Sequence, residues 1–231
     1  MEQLEEQQSV PVPLQPLATL AASKGHAQIL QFCLDKGVVF DINLDHAAYR
    51  GATNPAMLDV LLEANWRNMQ HSKSTRNSLV RDAASQDVKM LIWLLDHGAK
   101  VSRETIKQAG MARTPVPTMA LLVEKCGAGA LTNSCALQFA AGRGDRDMVE
   151  FLLHVGADVE EMPTMMGDVR EPGPFTALYE AVNGQHVEVV QLLLDHGAKA
   201  DTICGRHVGV NETPLQAARR LGNSQIVSLL E

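Results

Sequence analysis

The chain has 231 residues, 45% of them hydrophobic, and a formal net charge of −7, which argues against a wholly disordered chain and a general nucleic-acid or anionic-membrane binder. No apolar run approaches the length of a membrane span, and the acidic first residues lack the pattern of a signal peptide. Aromatic residues make up only 4%, which disfavours an all-β sandwich and favours closely packed helices rich in Ala and Leu.

Two regions are distinguished along the chain. Residues 1–13 are polar, acidic and proline-containing, and we expect a flexible N-terminal tail there. Residues 14–231 repeat a pattern of two short amphipathic helices joined by a turn, which predicts one repeat domain. Seven units follow from the alanines that recur on the first, inner helix of each unit: Ala21, Ala47, Ala83, Ala109, Ala140, Ala181 and Ala218.

The last three units are the clearest. In the sixth unit, Thr176 is placed to cap the inner helix, a second helix is predicted from about Val187, and Gly197 ends it. Neither helix can bury its apolar side alone, so the units must stack on one another. Between the fifth and sixth units, residues 162–174 form a predicted long loop. Three segments carry the most specific motifs: Gly156-Ala157-Asp158, Gly197-Ala198-Lys199 and Thr213-Pro214-Leu215-Gln216-Ala217-Ala218.

These motifs resemble those of ankyrin repeats, and the resemblance covers nearly all of residues 14–231. It implies an all-α fold: an ankyrin-repeat solenoid of stacked helix–turn–helix units with short β-hairpin fingers, one of them extended by residues 162–174. It also implies a noncatalytic protein–protein interaction module that binds its partner through the concave groove and the finger loops. A purely structural spacer within a larger assembly is a further alternative.

The ends of the inner helices, which face that groove in the family, carry a row of basic residues in an otherwise acidic protein. Arg is enriched at interfaces and its planar fork matches carboxylates, so the expected partner is a protein segment that is acidic or mixed acidic and apolar. A solvated row without a partner is the alternative. The predicted partner-binding residues are Lys24, Tyr49, Arg50, Gln86, Met111, Arg113, Arg143, Asn183, Arg219 and Arg220.

The sequence contains no phosphate-binding loop, nucleophile elbow or zinc-ligand spacing, so no catalytic residue, metal or cofactor is predicted. One alternative stays open, because His46 occupies an inner-helix position usually held by Leu in the family and is expected to face Asp82. A groove of this kind suits a small-molecule site or an enzyme of proton transfer or cyclisation. It comprises Asp45, His46, Tyr49, Arg50, Arg81 and Asp82. An enclosed pocket there favours this alternative, whereas an open groove favours protein binding.

The remaining expectations concern location and packing. The four cysteines are scattered without a C-x-x-C pair, which predicts reduced thiols and a cytoplasmic location, with the nucleus as the alternative. Trp66 and Trp93 are expected to be packing residues of the core.

Overall fold

The computed structural model describes residues 13–66, 79–80, 83–84, 88–163, 175–207 and 210–231, without the side chains of 205–207 and 210. Two compact units are present. Unit 1 contains residues 1–79 and 89–99, and unit 2 contains residues 80–88 and 100–231. The predicted tail therefore lies outside the described residues up to residue 12, and so do residues 164–174 of the predicted long loop.

Unit 1 is built from pairs of short helices. The inner helix α1 packs against its own outer helix and against the next inner helix, α3, and the outer helices α2 and α4 also touch. Close packing is possible because Gly51, the last residue of α3, lies against the backbone carbonyl of Ala22 in α1. The helices are α1 (Leu14–Ser23), α2 (Ala27–Asp35), α3 (Ile42–Gly51), α4 (Pro55–Glu63) and α5 (Val88–Asp96), the last belonging to this unit from Lys89 onwards.

Unit 2 repeats the arrangement with an inner and an outer row of helices. Its elements are α6 (Arg103–Met111), α7 (Val116–Cys126), a 3-10 turn (Ala128–Leu131), α8 (Ala136–Arg143), α9 (Arg146–His154), α10 (Ala177–Asn183), α11 (Val187–Asp195), β1 (Cys204–His207), β2 (Val210–Glu212), α12 (Pro214–Leu221) and α13 (Ser224–Leu230). The inner helices α6, α8, α10 and α12 contact one another in that order, and α7, α9, α11 and α13 form the outer row. The predicted all-α class is confirmed.

The helices begin where short polar side chains cap them. The hydroxyl of Thr176 accepts a hydrogen bond from the backbone N–H of Tyr179 at 3.2 Å, as the sequence predicted. Thr213 caps α12 in the same way, and its own N–H donates to the side-chain oxygen of Gln216 at 2.9 Å, which completes a capping box. At the other end of a helix–turn–helix repeat, Gly197 follows α11 with a φ of +88°, a conformation that favours glycine.

The core of each unit is made where neighbouring helices touch. All seven alanines that the spacing assigned to inner helices are buried in the structure, none more than 2% exposed. Leucines of the outer helices, such as Leu61, Leu152 and Leu193, are fully buried as well. Small side chains on the inner row and Leu on the outer row therefore account for the aromatic-poor composition. The total of seven repeats stays a prediction.

The fingers of unit 2 are joined by two consecutive glutamates. The carboxylate of Glu160 accepts from the backbone N–H of Lys199 at 3.0 Å and from the hydroxyl of Thr202 at 2.9 Å. Glu161 reaches the opposite way and accepts from the backbone N–H of Asn133 at 2.8 Å. Strands β1 and β2 pair antiparallel and form the short hairpin finger that precedes α12.

The two tryptophans differ in their packing. Trp66 is 1% exposed, as predicted for a core residue, and its indole N–H donates to the carboxylate of Asp45 at 2.7 Å. The prediction that Trp93 is a core residue is wrong. Trp93 is only half-buried, stacks on the ring of His97 and donates to Asp59 at 2.7 Å, because an outer-helix face leaves one side of the ring open.

Candidate functional site

An open cleft lies between the inner helices of unit 1. We call it the α1–α3 cleft, and its volume is about 600 Å³. Its apolar part is formed by α1, where Leu20 is 57% exposed beside Pro16. Its charged part is formed by α3 and the residue before it. The lining residues are Gln15, Pro16, Thr19, Leu20, Ser23, Asp41, Asn43, His46 and Arg50.

The charges of this cleft are placed by the local structure of α3. Asp41 precedes α3 and caps it, accepting from the backbone N–H of Leu44 at 2.7 Å. Arg50 lies in the last turn, where a cation complements the helix dipole. His46 and Arg50 are exposed, four residues apart, and therefore on one face of the helix. Within the described residues, neither Arg50 nor the nearby Lys24 forms an ion pair.

The alternative catalytic site is only partly described. Asp82 and Arg81 lie outside the described residues, so the expected contacts of His46 with Asp82 and of Asp45 with Arg81 stay predictions. The carboxylate of Asp45 is held by the Trp66 indole, a bond that the sequence did not indicate because the two residues are 21 positions apart. The cleft at His46 is open rather than enclosed, the outcome for which the sequence analysis favoured protein binding.

The second candidate surface is the line of inner-helix ends in unit 2, which we call the basic row. It begins with Met111 at the end of α6 and Arg113 just after it, both exposed, and continues with the half-buried Arg143 at the end of α8. The end of α8 is held against the next helix–turn–helix repeat, because the Gly142 carbonyl oxygen lies 3.1 Å from Nε2 of His186. The row comprises Met111, Arg113, Arg143, Asn183, Arg219 and Arg220.

Arg143 has the least favourable environment of the described cations. Burial lowers the pKa of its guanidinium, Asp145 raises it, and the like charge of Arg113 lowers it further. Its Nε is buried and has no hydrogen-bond acceptor among the residues that the structure describes. Arg113 and Arg143 form no ion pair within the described residues. The two guanidinium groups therefore form a site of positive charge, offset only in part by Asp145, to which a carboxylate would be attracted.

The other two arginines of the row are occupied by carboxylates. Arg220 makes two hydrogen bonds to Glu212, at 3.1 Å from Nε and 2.7 Å from a terminal nitrogen, and reaches the side chain of Asn183 at 3.4 Å. The Tyr179 hydroxyl donates to the same carboxylate at 2.8 Å. The hydrogen bonds from Arg220 hold the pKa of Glu212 below its usual range, while burial raises the pKa of Tyr179.

Arg219 is similarly paired with Glu231 at 2.9 Å, on the exposed side of α12. Sequence reasoning missed Glu212 and Tyr179 as partners of Arg220. The only signal available was the acidic residue directly before the capping Thr213, eight positions from Arg220. Gln86, another predicted partner-binding residue, lies outside the described residues. Tyr49 is half-buried on α3.

Two general findings apply to the described residues. They contain no group of three His, Cys, Asp or Glu side chains placed to hold a metal ion. None of the helices described is both long and apolar enough to span a bilayer.

Comparison with known proteins found similarity to ankyrin repeats in part of the chain. A family model for ankyrin repeats, spanning three copies, matches residues 137–231. The ankyrin repeat and KH domain-containing protein mask-1 of Caenorhabditis elegans is 33% identical over 99 residues, which are 43% of this chain and 3% of that protein. Ankyrin repeats are generally protein-interaction modules. Residues 137–231 are therefore similar to three ankyrin repeats.

Proposed function

We propose that the protein is a noncatalytic interaction module that holds an acidic, or mixed acidic and apolar, segment of a partner protein against its inner-helix ends and finger loops. The observation that carries this proposal is the Arg113–Arg143 pair in the basic row of unit 2. Two neighbouring guanidinium groups have no carboxylate partner within the described residues, and one of them is partly desolvated.

The energetics of Arg143 support an acidic ligand. Burial disfavours the charged form of Arg143, and the like charge of Arg113 disfavours it further. A carboxylate bound beside the two guanidinium groups offsets that repulsion. Met111, which is 49% exposed beside this pair, offers an adaptable apolar contact to the same segment.

The remaining predicted residues contribute unequally to this proposal. Lys24 and Arg50 in unit 1 are exposed and form no ion pair within the described residues, so their full charge is available to a ligand. Arg219 and Arg220 are already paired with carboxylates, so they offer less. We expect Arg50 and Arg143 to contribute the most to affinity, one in each unit.

The test compares two charge reversals of the whole chain. The variant Arg50→Glu/Arg143→Glu and the control Arg146→Glu are used beside the unaltered chain in affinity capture followed by mass spectrometry. Arg146 is a suitable control because it lies on the outer helix α9 and is paired with Glu150 at 3.2 Å. Far-UV circular dichroism confirms that all three chains are folded.

A partner that binds through Arg50 and Arg143 is captured by the unaltered chain and by the control, and is lost from the double variant. Titration of that purified partner should then show at least tenfold weaker binding to the double variant, the loss expected from two charge contacts. Equal binding by all three chains contradicts the proposal.

The scattered cysteines, which form no C-x-x-C pair, support a cytoplasmic location for the protein. Cell fractionation tests this proposal.

A further inference from the structure

The α1–α3 cleft has features that the basic row lacks. One end is anionic, at Asp41, and the other is cationic, at Arg50. Because α3 has ten residues, the two ends are about 15 Å apart, which corresponds to four or five residues of extended chain at about 3.4 Å each. The cleft is therefore long enough for a short extended segment and distinguishes its two ends by charge.

The middle of the cleft offers an apolar surface with polar groups around it. Leu20 exposes 57% of its surface next to Pro16, and Thr19, Ser23 and Asn43 line the same space. An apolar side chain resting on Leu20 would remove both from water at about 25 cal/mol for each Å². The hydroxyl and amide groups nearby are donors and acceptors for the backbone of a ligand.

The cationic end is shaped for a carboxylate. His46 and Arg50 are about 6 Å apart on one face of α3, which leaves room for one carboxylate between the imidazole and the guanidinium group. Arg accepts no hydrogen bonds and can donate two in parallel to such a group. In an extended segment, side chains two residues apart point the same way and are separated by about 7 Å, close to one helical turn.

These features together define a ligand pattern. We propose that the α1–α3 cleft binds an extended segment of a partner protein in which an apolar residue is followed two positions later by Asp or Glu. The apolar side chain lies on Leu20 and Pro16, and the carboxylate lies between His46 and Arg50. This inference rests on the proposed function and specifies its partner at one site.

The test uses synthetic seven-residue peptides and the isotopically labelled whole chain, observed by nuclear magnetic resonance. The probe peptide, blocked at both ends, is Gly-Gly-Leu-Gly-Glu-Gly-Gly. One control peptide has Gln in place of Glu, and another has Gly in place of Leu. The protein variants are Arg50→Gln and Leu20→Ser, both at exposed positions where the fold is not at stake.

The probe should give saturable shifts at the His46 ring and at the Thr19 and Leu20 amides, with affinity at least fivefold above that of either control peptide. Arg50→Gln should remove the preference for Glu over Gln, and Leu20→Ser should remove the preference for Leu over Gly. Equal binding of the three peptides, or shifts confined to Arg113 and Arg143, overturns the proposal.

Two further arms separate the alternatives. Arg143→Glu should leave peptide binding at the cleft unchanged, so the cleft can fail while the basic row is confirmed, or the reverse. The chain itself contains the pattern at Leu4-Glu5-Glu6, so a chain that starts at Pro13 is measured as well. If that shortened chain binds the probe more than tenfold better, the occupant is the protein's own segment and the assignment to a partner is overturned.

Discussion

Replacing Gly51 by alanine should reverse the usual effect of this substitution in a helix. Alanine is favoured over glycine within helices by up to about 1 kcal/mol, so Gly→Ala normally stabilises where space allows. At Gly51 there is no space. A Cβ placed there overlaps the carbonyl oxygen of Ala22 and comes within 2.7 Å of its carbonyl carbon. We therefore expect Gly51→Ala to destabilise unit 1.

The size of the effect follows from the packing of α1 on α3. Atoms in ordinary contact are about 3.5–4.0 Å apart, so the end of α3 has to move by about 2 Å to relieve the overlap. Overpacking typically costs about 1–3 kcal/mol, and we expect a loss of about 3 kcal/mol because the overlap is with backbone rather than with a flexible side chain. Gly129→Ala is the matched control, because a Cβ at that position meets no atom within 4 Å.

The assay uses tryptophan fluorescence to follow the unfolding of unit 1 separately. Both tryptophans of the chain, Trp66 and Trp93, belong to unit 1, whereas far-UV circular dichroism reports all helices. In urea denaturation of Gly51→Ala, the fluorescence transition should move to a lower midpoint by more than the dichroism transition does, as expected when repeats unfold in parts. An unchanged fluorescence midpoint for Gly51→Ala, with the dichroism midpoint of Gly129→Ala also unchanged, would refute the packing argument.

Two other changes have calculable effects. Arg220 holds the pKa of Glu212 low, so the contribution of this pair is fully present above the unfolded pKa of about 4.3 and is lost as pH falls through the lower folded pKa. Glu212→Gln should lower stability by about 1–2 kcal/mol at pH 7 and should flatten the pH dependence below about pH 4, which urea denaturation at several pH values measures. Asn54→Ala should lower stability by about 1 kcal/mol by fluorescence-detected denaturation, since the side-chain oxygen of Asn54 caps α4 at 2.9 Å from the Met57 nitrogen. Asn54→Asp, which keeps that cap, should retain most of the stability, and an equal loss in both variants would contradict the capping argument.

The repeat architecture could be predicted from the sequence because its signals are local. Caps, turn glycines and alanine spacing act within one helix–turn–helix unit, and Thr176, Thr213 and Gly197 take the roles predicted for them. The position of each alanine on its inner helix also explains its burial, since an inner helix packs against its own outer helix and against at least one neighbouring inner helix.

The electrostatics of the candidate surfaces could not be predicted in the same way. Whether an arginine is available to a ligand depends on carboxylates brought near it by folding, as Glu212 and Glu231 are for Arg220 and Arg219. The burial of Arg143 likewise depends on residues of the neighbouring repeats. The sequence placed these arginines at the ends of inner helices, but it could not show which of their charges are paired with carboxylates.

The pair Glu160 and Glu161 has a mechanical consequence. The Glu160 carboxylate is hydrogen-bonded to the finger that follows, and the Glu161 carboxylate is hydrogen-bonded to the segment that precedes. This short stretch therefore connects three consecutive repeats. A pull on one finger is transmitted to the next through side-chain hydrogen bonds rather than through a continuous sheet. The connection between these fingers therefore depends in part on two side chains that lie outside the helical core.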